Sequence, residues 1–180
     1  ACIQNKEWQD KGYKPIFMSV NVSVIQLEQP EFCEVVKRVL KECKLDPQYL
    51  LLEITETIFT KNYDAIVQTI KKINAFGVKV AMDDFGTGYS SLGQLSRLEI
   101  TKLKIDRSFI SEVNQNDHKN KIIKAIISLA DSLNLELVAE GVETKEQLSF
   151  LLRNDCSLMQ GYFFSKPLSA AVLEKELHRM

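Results

Sequence analysis

The sequence predicts an α/β fold, a parallel sheet with helical crossovers of the TIM-type (β/α)8 barrel. Two observations carry this expectation. Short apolar runs alternate along the whole chain with longer segments whose apolar residues recur at helical spacing. Each of six successive runs also ends on a residue able to ligate or polarise: Asn21, Glu53, Asp83 with Asp84, Lys104 with Asp106, Glu140, and Gln160. An open doubly wound sheet alternates in the same way, but it often carries a Gly-rich phosphate loop after its first strand, and none is found here. A barrel gathers its functional groups at the C-terminal ends of its strands. Six strands are visible where a closed barrel has eight, so the expectation is a barrel cut to about its last six strand–helix units.

In order, residues 1–12 read as the end of a helix, apolar at Ala1, Cys2 and Trp8 and stopped by Gly12. A helix that opens the chain without a cap suggests a piece of something longer. Residues 15–22 form the first strand. Pro30 can open a helix whose apolar face is Phe32, Val35, Val36, Val39 and Leu40. Residues 50–54 are the second strand, with Glu53 near its end. Residues 63–75 form a helix with Ile66, Ile70 and Ile73 on one side and Gly77 just past its end. Residues 78–82, β-branched at Val78 and Val80, form the third strand. It delivers Asp83 and Asp84 to a loop with Gly86 and Gly88 that runs to Leu92. A short helix over 91–98 and a fourth strand over 101–105 follow. Residues 120–133 carry the strongest helical pattern, in Ile122, Ile123, Ile126, Ile127 and Ala130. The fifth strand is 135–139. Thr144, with Glu146 and Gln147 close by, caps a helix to Leu152. The sixth strand is 157–160 and the last helix 170–177.

Composition excludes several classes. The 180 residues are 45% hydrophobic and 26% charged, an ordinary balance for one globular domain. The net charge is -1 with no block of Lys and Arg, which argues against a duplex-nucleic-acid or membrane-surface binder. No apolar run has the length of a membrane span, and no signal peptide opens the chain. Cys2, Cys33, Cys43 and Cys156 show no CxxC spacing and read as core residues of a reduced, cytoplasmic protein. The only histidines, His118 in a polar stretch and His178 near the C-terminus, leave no basis for a His triad or a His-rich metal site.

Asp83 and Asp84 organise the site. Adjacent carboxylates raise one another's pKa unless a positive charge sits between them. Asp-Asp-Phe-Gly could be a solvated turn, but a buried strand end favours a metal partner. The strand ends supply carboxylates and an amide with no His or Cys, a donor set for hard cations such as Mg²⁺ or Mn²⁺. Four carboxylates carry too much charge for one ion. Two divalent ions about 3.5–4 Å apart would balance them and generate a bridging hydroxide. Lys104 could steady that hydroxide or a phosphate oxygen. Such a set suits hydrolysis of a phosphodiester, although each residue alone has an ordinary structural reading.

The run Asp83-Asp84-Phe85-Gly86-Thr87-Gly88-Tyr89-Ser90-Ser91-Leu92 resembles the signature of the EAL-domain family of cyclic di-GMP phosphodiesterases. Ser19-Val20-Asn21-Val22-Ser23 resembles that family's asparagine motif, and Leu52-Glu53-Ile54-Thr55-Glu56 its Glu-Leu-Thr-Glu motif, with Ile for Leu. Lys104-Ile105-Asp106, Ala139-Glu140-Gly141-Val142-Glu143-Thr144 and Gln160-Gly161-Tyr162 match the remaining motifs in order. The resemblance covers essentially the whole chain. It implies a (β/α)8-type barrel with one antiparallel strand that cleaves cyclic di-GMP to linear pGpG with Mg²⁺ or Mn²⁺ in a two-metal site inhibited by Ca²⁺. It implies Asn21, Glu53 and Asp83 as metal ligands, Asp84 on the second metal, and Glu140 at the metal–water cluster. Lys104 would contact the attacking water, with Asp106 and Gln160 positioning water and ligands. Glu56 would brace the loop after Asp84, which the family uses for the second metal site and for a homodimer. Ser23 and Gln26 would lie along the substrate.

The Glu-Ala-Leu motif itself is absent. The family places it on a strand upstream of residue 1, and its Glu is a metal ligand. Residues 1–180 are therefore expected to be the C-terminal three quarters of the domain, impaired or inactive alone, and joined to other domains of a longer parent chain. The expected setting is cytoplasmic, without membrane insertion by this segment and with any tether upstream. A non-catalytic cyclic di-GMP receptor and a pure interaction domain are the alternatives. The presence of Glu53, Asp83, Asp84 and Glu140 favours the enzyme.

Overall fold

Six strands pair side by side in the order of the sequence: β1 (Met18–Asn21), β2 (Leu50–Thr55), β3 (Lys79–Phe85), β4 (Lys102–Ile105), β5 (Glu136–Ala139) and β6 (Leu158–Met159). Every neighbouring pair is parallel, so the sheet is half of a barrel wrapped by helices. The structure, a computed structural model, describes residues 1–59, 62–88, 92–115 and 117–178. Among these, no strand pairs with the outer edge of β1 or β6.

The helices are α1 (Cys2–Asp10), α2 (Val24–Leu27), α3 (Phe32–Cys43), α4 (Tyr63–Ala75), α5 (Leu92–Leu95), α6 (Arg107–Ile110), α7 (Asp117–Ser132), α8 (Lys145–Leu152) and α9 (Ala170–Leu177). Side chains alternate faces along a strand. Leu52, Ile54, Val80, Met82, Leu103 and Ile105 are thereby sent outward and buried with Ile66, Ile70 and Ile73 of α4 and Ile123 and Ile126 of α7. The same alternation turns Glu53, Asp83 and Lys104 to the inner face, where they are also buried. The core thus forms on the helical side and leaves the C-terminal ends of the inner face to polar groups.

Several boundaries differ from expectation for local reasons. Edge strands β1 and β6 are shorter because each has a ladder partner on one side only. Pro30 lies in a turn, and α3 begins at Phe32. Two one-turn helices were not anticipated. Ser23 and Gln26 close a capping box on α2, and Asp106 caps α6 by accepting from the Ser108 amide at 2.9 Å. The Thr144–Gln147 capping box on α8 forms. α5 covers less than the expected 91–98, and residue 91 lies outside the described set. No helix among the described residues is long and apolar enough to cross a membrane.

α9 follows β6 yet docks on the segment that precedes β1. The Glu174 carboxylate accepts from Lys11 Nζ at 2.6 Å, Trp8 Nε1 at 3.3 Å and Tyr13 Oη at 3.4 Å. The His178 ring meets Tyr13 edge-on, centroids 5.0 Å apart. The Lys11 hydrogen bond, seconded by those of Trp8 and Tyr13, outweighs burial and holds the Glu174 carboxyl below its ordinary value of 4.5. A depressed carboxyl stabilises the fold fully above the ordinary value and loses that contribution as pH falls through the lowered one. Emission of Trp8, the sole tryptophan, should therefore shift to the red as pH drops below about 4.5. Glu174→Gln should show part of that shift already at neutral pH. Identical neutral spectra for the two proteins would disprove the docking role of Glu174.

Candidate metal centre

In a regular strand Asp83 and Asp84 would face opposite sides of the sheet. They do not, because the β3–β4 register shifts between Met82 and Phe85, and Asp84 adopts φ +52°. This is the signature of a bulge, which re-aims a side chain at a functional edge. Aspartate tolerates the left-handed region better than most residues other than glycine. As a result one oxygen each from Asp83, Asp84 and Glu140 lies within 4.8 Å of the others.

Lys104 stands among these acids. Its ammonium is 2.7 Å from Glu140 Oε1, 2.9 Å from Asp83 Oδ1 and 3.0 Å from Glu53 Oε2. An ammonium has three protons to donate, and here there are three acceptors. Burial works to lower the Lys104 pKa, but the hydrogen bonds to Glu140 and Asp83 prevail and hold it above the usual lysine range. Burial raises the Glu140 carboxyl against the opposing effect of Lys104. Asp84 is raised by burial, then by the charges of Asp83 and Asp106 and a hydrogen bond with Asp106. For Asp106, hydrogen bonds from Ser108 and Asp84 overcome burial and lower its pKa. In the Asp84–Asp106 pair, Asp84 is therefore the more readily protonated.

The loop after Asp84 is held from two sides. Glu56, buried at the end of β2, accepts from the Gly86 amide at 3.2 Å. Phe109 of α6 fills the space behind Gly86: a Cβ there would lie 2.7 Å from its ring, at a φ of +101° that side chains rarely adopt. A Cβ at Gly88 would lie 2.3 Å from Glu56 Oε2, so both glycines serve close approach. Thr87 Oγ1 donates back to the Asp84 carbonyl at 2.9 Å. Tyr89, Ser90 and Ser91, part of the recognised signature, lie outside the described residues.

Asn21, Ser23, Gln26, Glu53, Asp83 and Asp84 line one open hollow of about 770 Å³. Lys104 and Glu140 reach it through Asp83. Ser23 and Gln26 spend polar groups on their capping box: the Ser23 amide donates to Gln26 Oε1 at 3.0 Å, and the Gln26 amide to Ser23 Oγ at 3.3 Å. Gln160 stands apart from the hollow's lining, exposed after β6, with its amide donating to the Ala139 carbonyl at 2.8 Å. The sequence reading missed Thr55 and Thr57, whose hydroxyls are 2.7 Å apart and also line the hollow. The two-residue period from Glu53 was the signal for Thr55, whereas Thr57 lies in a one-turn 3-10 helix over Glu56–Ile58 that strand alternation does not reach.

The donors are all oxygen, as hard cations require. The carboxylates already surround one positive charge, since Lys104 occupies their centre as a built-in cation. Asp84, turned toward them, adds charge that this ammonium does not meet directly. The residues present therefore fit a divalent ion.

Fold and site together gather carboxylates that could hold a hard cation at the C-terminal ends of a parallel half-barrel. The chain belongs to the EAL domain family, whose model matches residues 1–167. It is 40% identical over 173 residues to the bifunctional diguanylate cyclase/cyclic di-GMP phosphodiesterase MucR of Pseudomonas aeruginosa, covering 96% of this chain and 25% of that one. The EAL domain of DcpA from Mycobacterium smegmatis superposes with a TM-score of 0.95 at 39% identity, covering 99% of this chain and 81% of that one. A manganese/cyclic di-GMP complex of Klebsiella pneumoniae BlrP1 superposes with a TM-score of 0.81 at 28% identity, covering 92% of this chain and 42% of that one. The chain spans 20–25% of the length of the first curated relatives it matches.

Lys104→Met keeps the stem and removes the charge, leaving Glu53, Asp83 and Glu140 without their shared cation. Urea unfolding in chelator should show a loss of about 3–5 kcal/mol, the usual cost of breaking a buried ion pair from one side. Added Mn²⁺ should restore part of it. Unchanged stability in chelator would refute the role of Lys104 as internal counter-ion.

Proposed function

We propose that this chain is the phosphodiesterase unit of a metal-dependent enzyme that hydrolyses cyclic di-GMP to linear pGpG in bacterial second-messenger signalling. The observation that carries the reading is the convergence of Asp83, Asp84 and Glu140 around the Lys104 ammonium, beside a hollow open to solvent. The cyclic di-GMP phosphodiesterase activity of MucR and the manganese/cyclic di-GMP complex of BlrP1 support it.

Asn21, Glu53, Asp83, Asp84 and Glu140 would hold two Mg²⁺ or Mn²⁺ ions. When bound, such ions polarise phosphoryl oxygens and lower the pKa of water. Ca²⁺ takes more ligands at longer range in looser geometry, and inhibition by it is expected. Lys104 would keep the carboxylates gathered and offset negative charge as a phosphodiester approaches. Asp106, hydrogen-bonded to Asp84, would set the orientation and proton of that carboxyl. Glu56 would fix the loop that carries Asp84's backbone, and Ser23, Gln26, Thr55 and Thr57 would line the substrate's path. Gln160 would act only from the rim. Leu92, 62% exposed at the far end of the loop, is consistent with a homodimer formed there.

The sequence holds no Glu-Ala-Leu motif, and the outer edges of β1 and β6 lack partners among the described residues. We infer that these 180 residues alone turn over weakly or not at all, and that added upstream strands restore activity. The test is pGpG release with Mg²⁺ or Mn²⁺ from this chain and from a form extended upstream. The extended form should be active, and Asp83→Asn in it should lose at least roughly 100-fold, more than loss of a residue that merely supports a ligand. Nucleotide binding without turnover in both forms would make the protein a receptor instead.

A further inference from the structure

The large hollow beside the carboxylates is lined by an amide whose orientation is fixed. Gln26 lies on α2 and shares the hollow with Glu53 and Asp84. Its Oε1 accepts from the Ser23 amide at 3.0 Å and from Ser23 Oγ at 3.1 Å. A backbone N–H only donates, so the oxygen end of the side chain has to face Ser23. Two donors also fill both lone pairs of that oxygen. The nitrogen end keeps two protons to donate, on a side chain exposed at the hollow. α2 itself is pinned. The Val22 amide donates to the Glu53 carbonyl at 2.8 Å, Leu27 is buried, and Glu28 Oε1 accepts from Asn62 Nδ2 at 2.8 Å.

A capping box by itself is ordinary helix termination. Here the capping residue also lines a hollow of about 770 Å³, large enough for a nucleotide. Val22, Val24 and Ile25 line it as well, and Ile25 is 71% exposed, which offers apolar surface to the face of a ring. Of the other polar side chains there, the carboxylates only accept. The Thr55 and Thr57 hydroxyls donate or accept, so they discriminate nothing. Asn21 is the second amide, and the proposed function assigns it to the metal. Gln26 is thus the group that offers donors alone.

Guanine presents two acceptors, O6 and N7, along one edge, whereas adenine presents N7 beside the N6 donor. An unconstrained glutamine reads adenine by accepting from N6 and donating to N7. Gln26 is barred from this because Ser23 occupies its oxygen. Resting on the cyclic di-GMP reading above, we propose that Gln26 is a specificity-determining residue that selects guanine over adenine. Its locked amide donates to O6 and N7 of one base, and the N6 donor of an adenine would meet N–H groups instead of an acceptor.

The test uses the form extended upstream, with Ca²⁺ in place of Mg²⁺ to hold turnover back, and measures binding of cyclic di-GMP and cyclic di-AMP by isothermal titration calorimetry. Gln26→Glu keeps an oxygen for Ser23, and glutamate is a usual partner in this box, so Tm should stay where it is. Both donors are removed. The wild type should bind cyclic di-GMP at least roughly tenfold more tightly than cyclic di-AMP, and Gln26→Glu should lose most of that ratio. The added charge acts on both dinucleotides alike, and a purely structural role of Gln26 would leave the ratio unmoved. A 7-deazaguanine analogue of the dinucleotide, which lacks the N7 acceptor, should bind the wild type more weakly than cyclic di-GMP and the variant equally. An unchanged ratio in Gln26→Glu, or an analogue held by the wild type as tightly as cyclic di-GMP, would overturn the proposal. A ratio lost in Gln26→Glu, in a protein that releases no pGpG with Mg²⁺, would uphold the guanine contact and overturn the phosphodiesterase reading. A wild type that binds neither dinucleotide would overturn both.

Discussion

The Lys104 ammonium is the point on which the site depends. It rises from β4 and reaches Glu53 on β2, Asp83 on β3 and Glu140 just after β5. One charge thus ties the C-terminal ends of four neighbouring strands. Backbone ladders set strand spacing, but they say nothing about where the three acids should point. Without a cation between them, the acids would repel one another or take up protons. A buried ion cluster is a poor source of net stability, because desolvation consumes much of the attraction. Its presence at this place fits the proposed role of the strand ends in holding a divalent ion.

The rest of the inner face follows from that demand. Clustering both aspartates requires a bulge, and the bulge requires Asp84 at positive φ. Strain of this sort costs of order 1–3 kcal/mol and survives only where the surroundings fix it. Here the fixing comes from Glu56 on the Gly86 amide, Phe109 behind Gly86, and Thr87 on the Asp84 carbonyl. Stability comes from the opposite face, where Leu52, Ile54, Met82, Leu103 and Ile105 are nearly or wholly excluded from water. The strand period of two lets one segment do both jobs.

Most of the fold was legible because the strands are short apolar runs with polar ends, and the long helices carry unbroken apolar stripes. α4 and α9 keep the expected limits, whereas the one-turn α2 and α6 were missed. Those two are defined by side-chain caps at Ser23 and Asp106, not by periodicity. The hub role of Lys104 was only partly visible. Its strand position could be read from the sequence, but its simultaneous reach to three acids depends on sheet register. The Glu174 contacts join residues more than 160 positions apart, and no local pattern announces them.

The central claim is that Asp83, Asp84 and Glu140 form a cation site organised by Lys104. Equilibrium Mn²⁺ titration followed by electron paramagnetic resonance tests it most directly. The account predicts saturable binding that is sharply weakened in Asp83→Asn, Asp84→Asn and Glu140→Gln and is preserved in Glu143→Gln, an exposed acid nearby. Equal binding by all five proteins would contradict it.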